Sequence, residues 1–125
     1  DSISLTQLKG IDNYYSSKII RYRNRLGGFI DKKQLFEIKN FDSLKYYEIE
    51  NYITIDPELI KKMNINFANY NELKTHPYIN SSLANLIVSY RNMHGAYKDI
   101  NDLKKLALMN DQLFSKLAPY LKISN

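Results

Sequence analysis

The chemistry open to this chain is narrow. It has no cysteine and only two histidines, His76 and His94. The missing thiols remove a disulfide framework, a thiolate metal site and a cysteine nucleophile. The histidines have no partner at metal-ligand spacing and read as surface or structural. Glu37, Glu48 and Glu50 form no pairing suited to acid–base work or a nuclease metal. There is no glycine-rich phosphate loop and no nucleophile motif. No enzyme activity, cofactor or metal is expected, and anion binding remains. Net charge is +5 with a pI near 9.3, a balance that favours nucleic acid or an anionic surface. The excess is spread: eleven Lys/Arg face nine Asp/Glu over residues 1–68, and seven face four over 69–125. Charge alone therefore supports a nucleic-acid partner without establishing one.

The 125 residues, 44% hydrophobic and 25% charged, suit one globular domain or two very small ones. No apolar run approaches the ~20 residues that span a bilayer, and no signal peptide is visible. Asp1-Ser2 already suits a helix start, so the chain reads as a fragment of a longer protein.

A repeat organises the chain. A shift of 68 positions aligns residues 5–55 with 73–123 without a gap. Tyr22-Arg23-Asn24 falls on Tyr90-Arg91-Asn92, Gly27 on Gly95 and Asp31 on Asp99. Phe29 meets Tyr97, and Ile49 meets Leu117. One structural unit thus occurs twice. Within each unit the period is helical. Tyr15, Ile19, Tyr22 and Leu26 mark one buried face, Gly27-Gly28 stops that helix, and Asp31 caps a short one carrying Leu35 and Ile38. After a break at Lys39-Asn40-Phe41, Asp42 or Ser43 caps a helix carrying Tyr46, Ile49 and Tyr52. The second unit repeats this through Leu83, Ile87 and Tyr90, Gly95, Asp99, Leu103 and Leu106, then Leu108-Met109-Asn110 and Leu117. Pro57 starts a short connecting helix, and Pro119 kinks or ends the last turn. The fold class is all-α. The first unit covers 1–55, a connector 56–68 and the second unit 69–125.

Three stretches are read together: Leu8-Lys9-Gly10-Ile11-Asp12, Ile19-Ile20-Arg21-Tyr22-Arg23 through Gly27-Gly28-Phe29, and Leu35-Phe36-Glu37-Ile38. They resemble the helix-hairpin-helix repeat of ComEA-type competence DNA receptors. Ile65-Asn66-Phe67-Ala68 through Glu72-Leu73, Tyr90-Arg91-Asn92-Met93-His94-Gly95-Ala96-Tyr97 and Asp102-Leu103 extend the likeness over nearly the whole chain. The resemblance implies two tandem (HhH)2 units, small SAM-like helical bundles with four hairpins in all. It implies sequence-independent binding of double-stranded DNA, a place in DNA uptake, and an extracytoplasmic or membrane-anchored intact protein. In such hairpins, amides at a helix N-terminus and the positive dipole end hold a phosphate oxygen, and two glycines let it approach. Those contacts carry no base information.

The sequence departs from the pattern at the glycines. Hairpin one keeps Gly10 but has Asp12 in the second place. The others read Asn40-Phe41-Asp42, Tyr78-Ile79-Asn80 and Leu108-Met109-Asn110. Asn and Asp cap helices well, so the fold can persist. A carboxylate there fills its own helix and repels phosphate, so Asp12 and Asp42 read as caps, while Asn80 and Asn110 stand open to either role. The candidate DNA contacts are Lys9, Gly10, Ile11, Asn13, Lys18, Lys39, Asn40, Lys45, Lys74, Tyr78, Ile79, Asn80, Ser81, Asn110 and Lys116. Arg23 and Arg91, being repeated, are expected to pair with a carboxylate. Of the eleven tyrosines, Tyr15, Tyr22, Tyr52, Tyr90 and Tyr120 have core spacing, and Tyr14, Tyr47 and Tyr78 are expected outside. The eroded glycines and the tyrosine excess leave a rival expectation, a protein-interaction or scaffold module that keeps the fold without binding DNA.

Overall fold

A computed structural model describes residues 13–125. The chain divides into two compact units, residues 1–60 and 61–125.

In unit one, α1 spans Asn13–Leu26. It buries Ser16, Ile19 and Leu26, and leaves Tyr15 and Tyr22 half-buried. Gly27 and Gly28 follow with φ of 101° and 124°, a conformation that costs glycine least. A Cβ on Gly28 would come within 2.8 Å of Ile60 Cδ1, so the bare glycine makes room for the end of the unit. Asp31 then caps a 3-10 turn, Lys32–Glu37, with Gln34 closing a capping box. Next comes α2, Ser43–Ile49, capped by Asp42 and continued by a 3-10 turn, Glu50–Tyr52. Pro57 opens a last 3-10 turn, Pro57–Leu59, where its missing N–H is not needed.

Unit two repeats the plan. Its elements are α3, Tyr70–Lys74, α4, Ser81–His94, and α5, Asp111–Leu117. Gly95 ends α4 at φ 86°, and Asp99 caps the 3-10 turn Ile100–Lys105. The Asn101 backbone amide, then its side chain, holds the Asp99 carboxyl below its ordinary pKa. It also holds two short strands, β1, Met63–Asn64, and β2, Leu121–Lys122, which pair in parallel. These four residues leave an otherwise helical protein all-α in class. The buried sets answer each other across the repeat: Ile19 and Ile87, Phe29 and Tyr97, Leu35 and Leu103, Ile38 and Leu106, Ile49 and Leu117, Ile53 and Leu121.

The stretch 56–68, expected as a connector, is divided between the units. Ile65 and Ala68 are core residues of unit two. Arg91 Nη1 donates to the carbonyls of Ile65 at 2.7 Å and Ala68 at 2.8 Å. Asn66 Nδ2 donates to the carbonyls of Tyr97 and Ile123, and its Oδ1 accepts from Tyr97 N at 2.7 Å. Arg91 therefore has the structural role expected of it, but with main-chain carbonyls in place of a carboxylate. Tyr97 is buried with its hydroxyl donating to Ile87 O, and burial pushes its phenol pKa up.

Tyr52 departs from the core position its spacing predicts. It is 49% exposed, whereas its repeat partner Tyr120 is fully buried. Tyr120 packs against His76 and Tyr78, with ring centroids 5.0 and 6.1 Å away. The repeat carries Gly10, which has no ring, at the position of Tyr78.

Ser16 is a local misfit: it is 1% exposed, and its Oγ has no hydrogen-bond partner among the described residues. The repeat places Ala84, equally buried, at the same position. A buried unsatisfied hydroxyl costs roughly 1–3 kcal/mol. Ser16→Ala should therefore stabilise unit one by about 1 kcal/mol in a urea melt; an unchanged or lowered midpoint would show that the hydroxyl is satisfied after all.

Candidate nucleic-acid interface

The hairpin loops come first, because a phosphate would meet them first. Hairpin one, with Lys9, Gly10, Ile11 and Asp12, lies outside the described residues. The other three close through the same turn: Phe41 N to Ile38 O, Ile79 N to His76 O and Met109 N to Leu106 O, each 3.1 Å. Within that turn Asn40 adopts φ 63°, and it is the one non-glycine residue with positive φ among those described. Asparagine tolerates this conformation, so hairpin two keeps glycine-like backbone without glycine. Tyr78 and Leu108 occupy the same place without it. Their turns do not need the glycine.

The second glycine places are all caps. Asp42 Oδ1 accepts from Leu44 N at 2.9 Å, Asn80 Oδ1 from Leu83 N at 2.8 Å and Asn110 Oδ1 from Leu113 N at 2.7 Å. One amide of each first turn is thus taken by the chain itself. The helices differ in what they leave. The first amides of α4, at Ser81 and Ser82, have no intrahelical partner, and a neutral cap precedes them. Asp42 sets a carboxylate before α2, and at hairpin four Asp111 directly follows Asn110 as the first residue of α5. Both α2 and α5 have only seven residues, against fourteen in α4. Among the described residues, hairpin three therefore keeps the geometry best suited to an anion.

The other candidates fall into groups. Asn13, Lys39, Lys74 and Ser81 are exposed. Lys18 donates from Nζ to Lys39 O at 3.3 Å and lies over the Tyr14 ring at 4.6 Å. Lys45 pairs with Glu48 at 3.0 Å and lies 5.0 Å over the Tyr15 ring, so its charge is engaged within unit one. Ile79 requires a correction: it is 2% exposed and belongs to the core, so any contact it makes with DNA runs through its main chain. The core contact is forced by the same apolar period that marks the hairpin.

Two placements join hairpin three. Lys74 ends α3 on its near side, with Nζ 4.9 Å from the Tyr70 ring centroid. Lys116, which in sequence follows hairpin four, sits 4.4 Å over the Tyr78 ring. Thirty-eight positions separate Tyr78 from Lys116, and no spacing rule could have joined them. His76 is also there, buried, with Nδ1 accepting from Tyr78 N at 3.1 Å. This fixes the turn and assigns His76 a structural place. Among the described residues no group of three or more His, Asp or Glu side chains could hold a metal ion, and no helix is long and apolar enough to cross a membrane.

Comparison with known proteins agrees with this geometry. The family model described as "Helix-hairpin-helix motif" matches residues 2–54 and again 59–122. The zebrafish (Danio rerio) "Endonuclease/exonuclease/phosphatase family domain-containing protein 1" is 27% identical over 131 aligned positions, which cover 90% of this chain. The chain spans 24% of that relative's length. No solved structure matches.

Proposed function

This chain belongs to the helix-hairpin-helix family, and from that premise we propose that it is a non-catalytic module binding duplex DNA through its phosphates, without regard to sequence. Hairpin three carries the reading. Its neutral Asn80 cap leaves the Ser81 and Ser82 amides to a ligand, and Lys74 and Lys116 supply positive charge beside it. Weak sites on one chain add through effective concentration, so eroded hairpins still contribute to a usable affinity. The likeness of Tyr90-Arg91-Asn92 through Gly95-Ala96-Tyr97 to competence receptors supports a role in DNA uptake. The named relative fits a module of this kind carried within a longer protein.

A second reading has its own observation. Leu44 and Tyr47, one turn apart on α2, are 70% and 64% exposed, just beyond the Asp42 carboxylate. An apolar pair on a helix whose N-terminus repels phosphate suits a protein partner in unit one.

Fluorescence anisotropy with labelled duplexes of two unrelated sequences, at low and physiological salt, separates the two readings. Equal affinities that fall steeply with salt are expected, because each neutralised phosphate contributes a slope of about −0.9 in log K against log salt. Absence of binding at low salt would remove the DNA reading and leave the protein-partner one.

A further inference from the structure

The outer face of α1 is unlike anything the repeat requires. Tyr14, Lys18, Arg21 and Arg25 follow at steps of four, three and four. At 100° per residue they fall within roughly 60° of the helix circumference and run for about 16 Å. Tyr14 is 59% exposed, Arg21 and Arg25 are exposed and Lys18 is half-buried. The helix contains no acidic residue. The equivalent row on α4 is Ser82, Leu86, Ser89 and Met93, which carries no charge. The cation shared by both helices, Arg23 or Arg91, lies off this row. The same fold is therefore built without the cationic row. The helix dipole favours a cation in the last turn, which accounts for Arg25 but not for Lys18 or Arg21.

We propose that this row, Tyr14–Lys18–Arg21–Arg25, is a contact surface for single-stranded DNA, distinct from the hairpin loops. The inference rests on the nucleic-acid reading above and adds a second ligand form to it. Three cations in line on a rigid helix attract a polyanionic backbone. The Lys18–Lys39 hydrogen bond carries the row up to hairpin two, where Lys39 is exposed. Duplex phosphates are less suited to this unit, because Asp42 places a carboxylate at its described hairpin. The Tyr14 ring remains exposed although Lys18 Nζ lies over it and Tyr15 meets it edge to face. Its open surface selects for a single strand, since only an unpaired base has a free face to stack on it.

The test uses the whole chain with a labelled oligothymidylate of about 15 nucleotides, within the span of single-strand sites, and a labelled duplex. Arg21→Ser with Arg25→Met installs the residues unit two carries at these positions. It should lower single-strand affinity on the order of tenfold at low salt and flatten the salt slope by about 1.4, from two lost contacts at about 0.7 each. Tyr14→Ser should cost about fivefold or more. The reciprocal change, Ser89→Arg with Met93→Arg, should raise single-strand affinity, which guards against a loss caused by misfolding. Single-strand affinity and slope unchanged by all of these, with duplex binding intact, would overturn this inference alone. A chain that binds neither nucleic acid would overturn both it and the function proposed above.

Discussion

Replacing Lys74 and Lys116 together by glutamate should lower duplex affinity about a hundredfold at low salt and flatten the salt slope by about 2, one for each lost phosphate contact. Both lysines sit beside hairpin three, Lys74 at the end of α3 and Lys116 over Tyr78. Both side chains lie at the surface, so the fold should be kept. The loss should be equal for unrelated sequences, because phosphate contacts carry no base information. Lys98→Glu is the control. It changes charge beyond the far end of α4, whose fourteen residues place it about 20 Å from the hairpin. At physiological salt that distance exceeds the screening length of roughly 8 Å. If Lys98→Glu weakens binding as much as the pair does, net charge and not hairpin three governs the affinity.

Arg91→Ala should be strongly destabilising to unit two. The guanidinium donates to the carbonyls of both Ile65 and Ala68 from a half-buried position. Hydrogen bonds to a charged group contribute roughly 1.5–3 kcal/mol each. Loss of the pair leaves two carbonyls short of a partner and releases the segment carrying β1 and the buried Ile65. A cost of about 4 kcal/mol follows, read as a lower urea midpoint. Arg91→Lys should recover less than half, since the one Nη1 that serves both carbonyls is held in place by the rigid guanidinium, whereas an ammonium on a flexible stem is not. A cost below about 1 kcal/mol for the alanine variant would mean that the entry segment is held by Asn66 and core packing alone.

Much of this molecule was legible in the residues because much of it is local. The two glycine stops, the Asp31, Asp42 and Asp99 caps and the helical faces through Ile19 and Ile87 depend on side chains within four positions of one another. Local hydrogen bonding and the 3.6 period determine such features before any tertiary contact forms. The repeat extended that reading to two units, and the exposure of Tyr14 and Tyr47 followed from their spacing. The spacing Tyr14–Lys18–Arg21–Arg25 was also present in the sequence, but its meaning came only with the exposed faces of α1 and α4.

What the tertiary structure alone decided is which surfaces meet. Arg91 finds carbonyls in a segment that spacing assigned to a connector. Lys116 crosses from the last helix to hairpin three. Tyr120 is buried against His76 and Tyr78 while Tyr52, at the same place in the repeat, is half-exposed. A repeat predicts a similar backbone and not the same neighbours, because the two copies differ in the side chains available to an equivalent ring. The hairpin turns show the same division. Loss of glycine was plain in the sequence, but only the closed turns reveal that Tyr78 and Leu108 adopt them without positive φ, while Asn40 takes it up. Turn geometry depends on two dihedrals per residue, and those are chosen by the packing of the helices on either side.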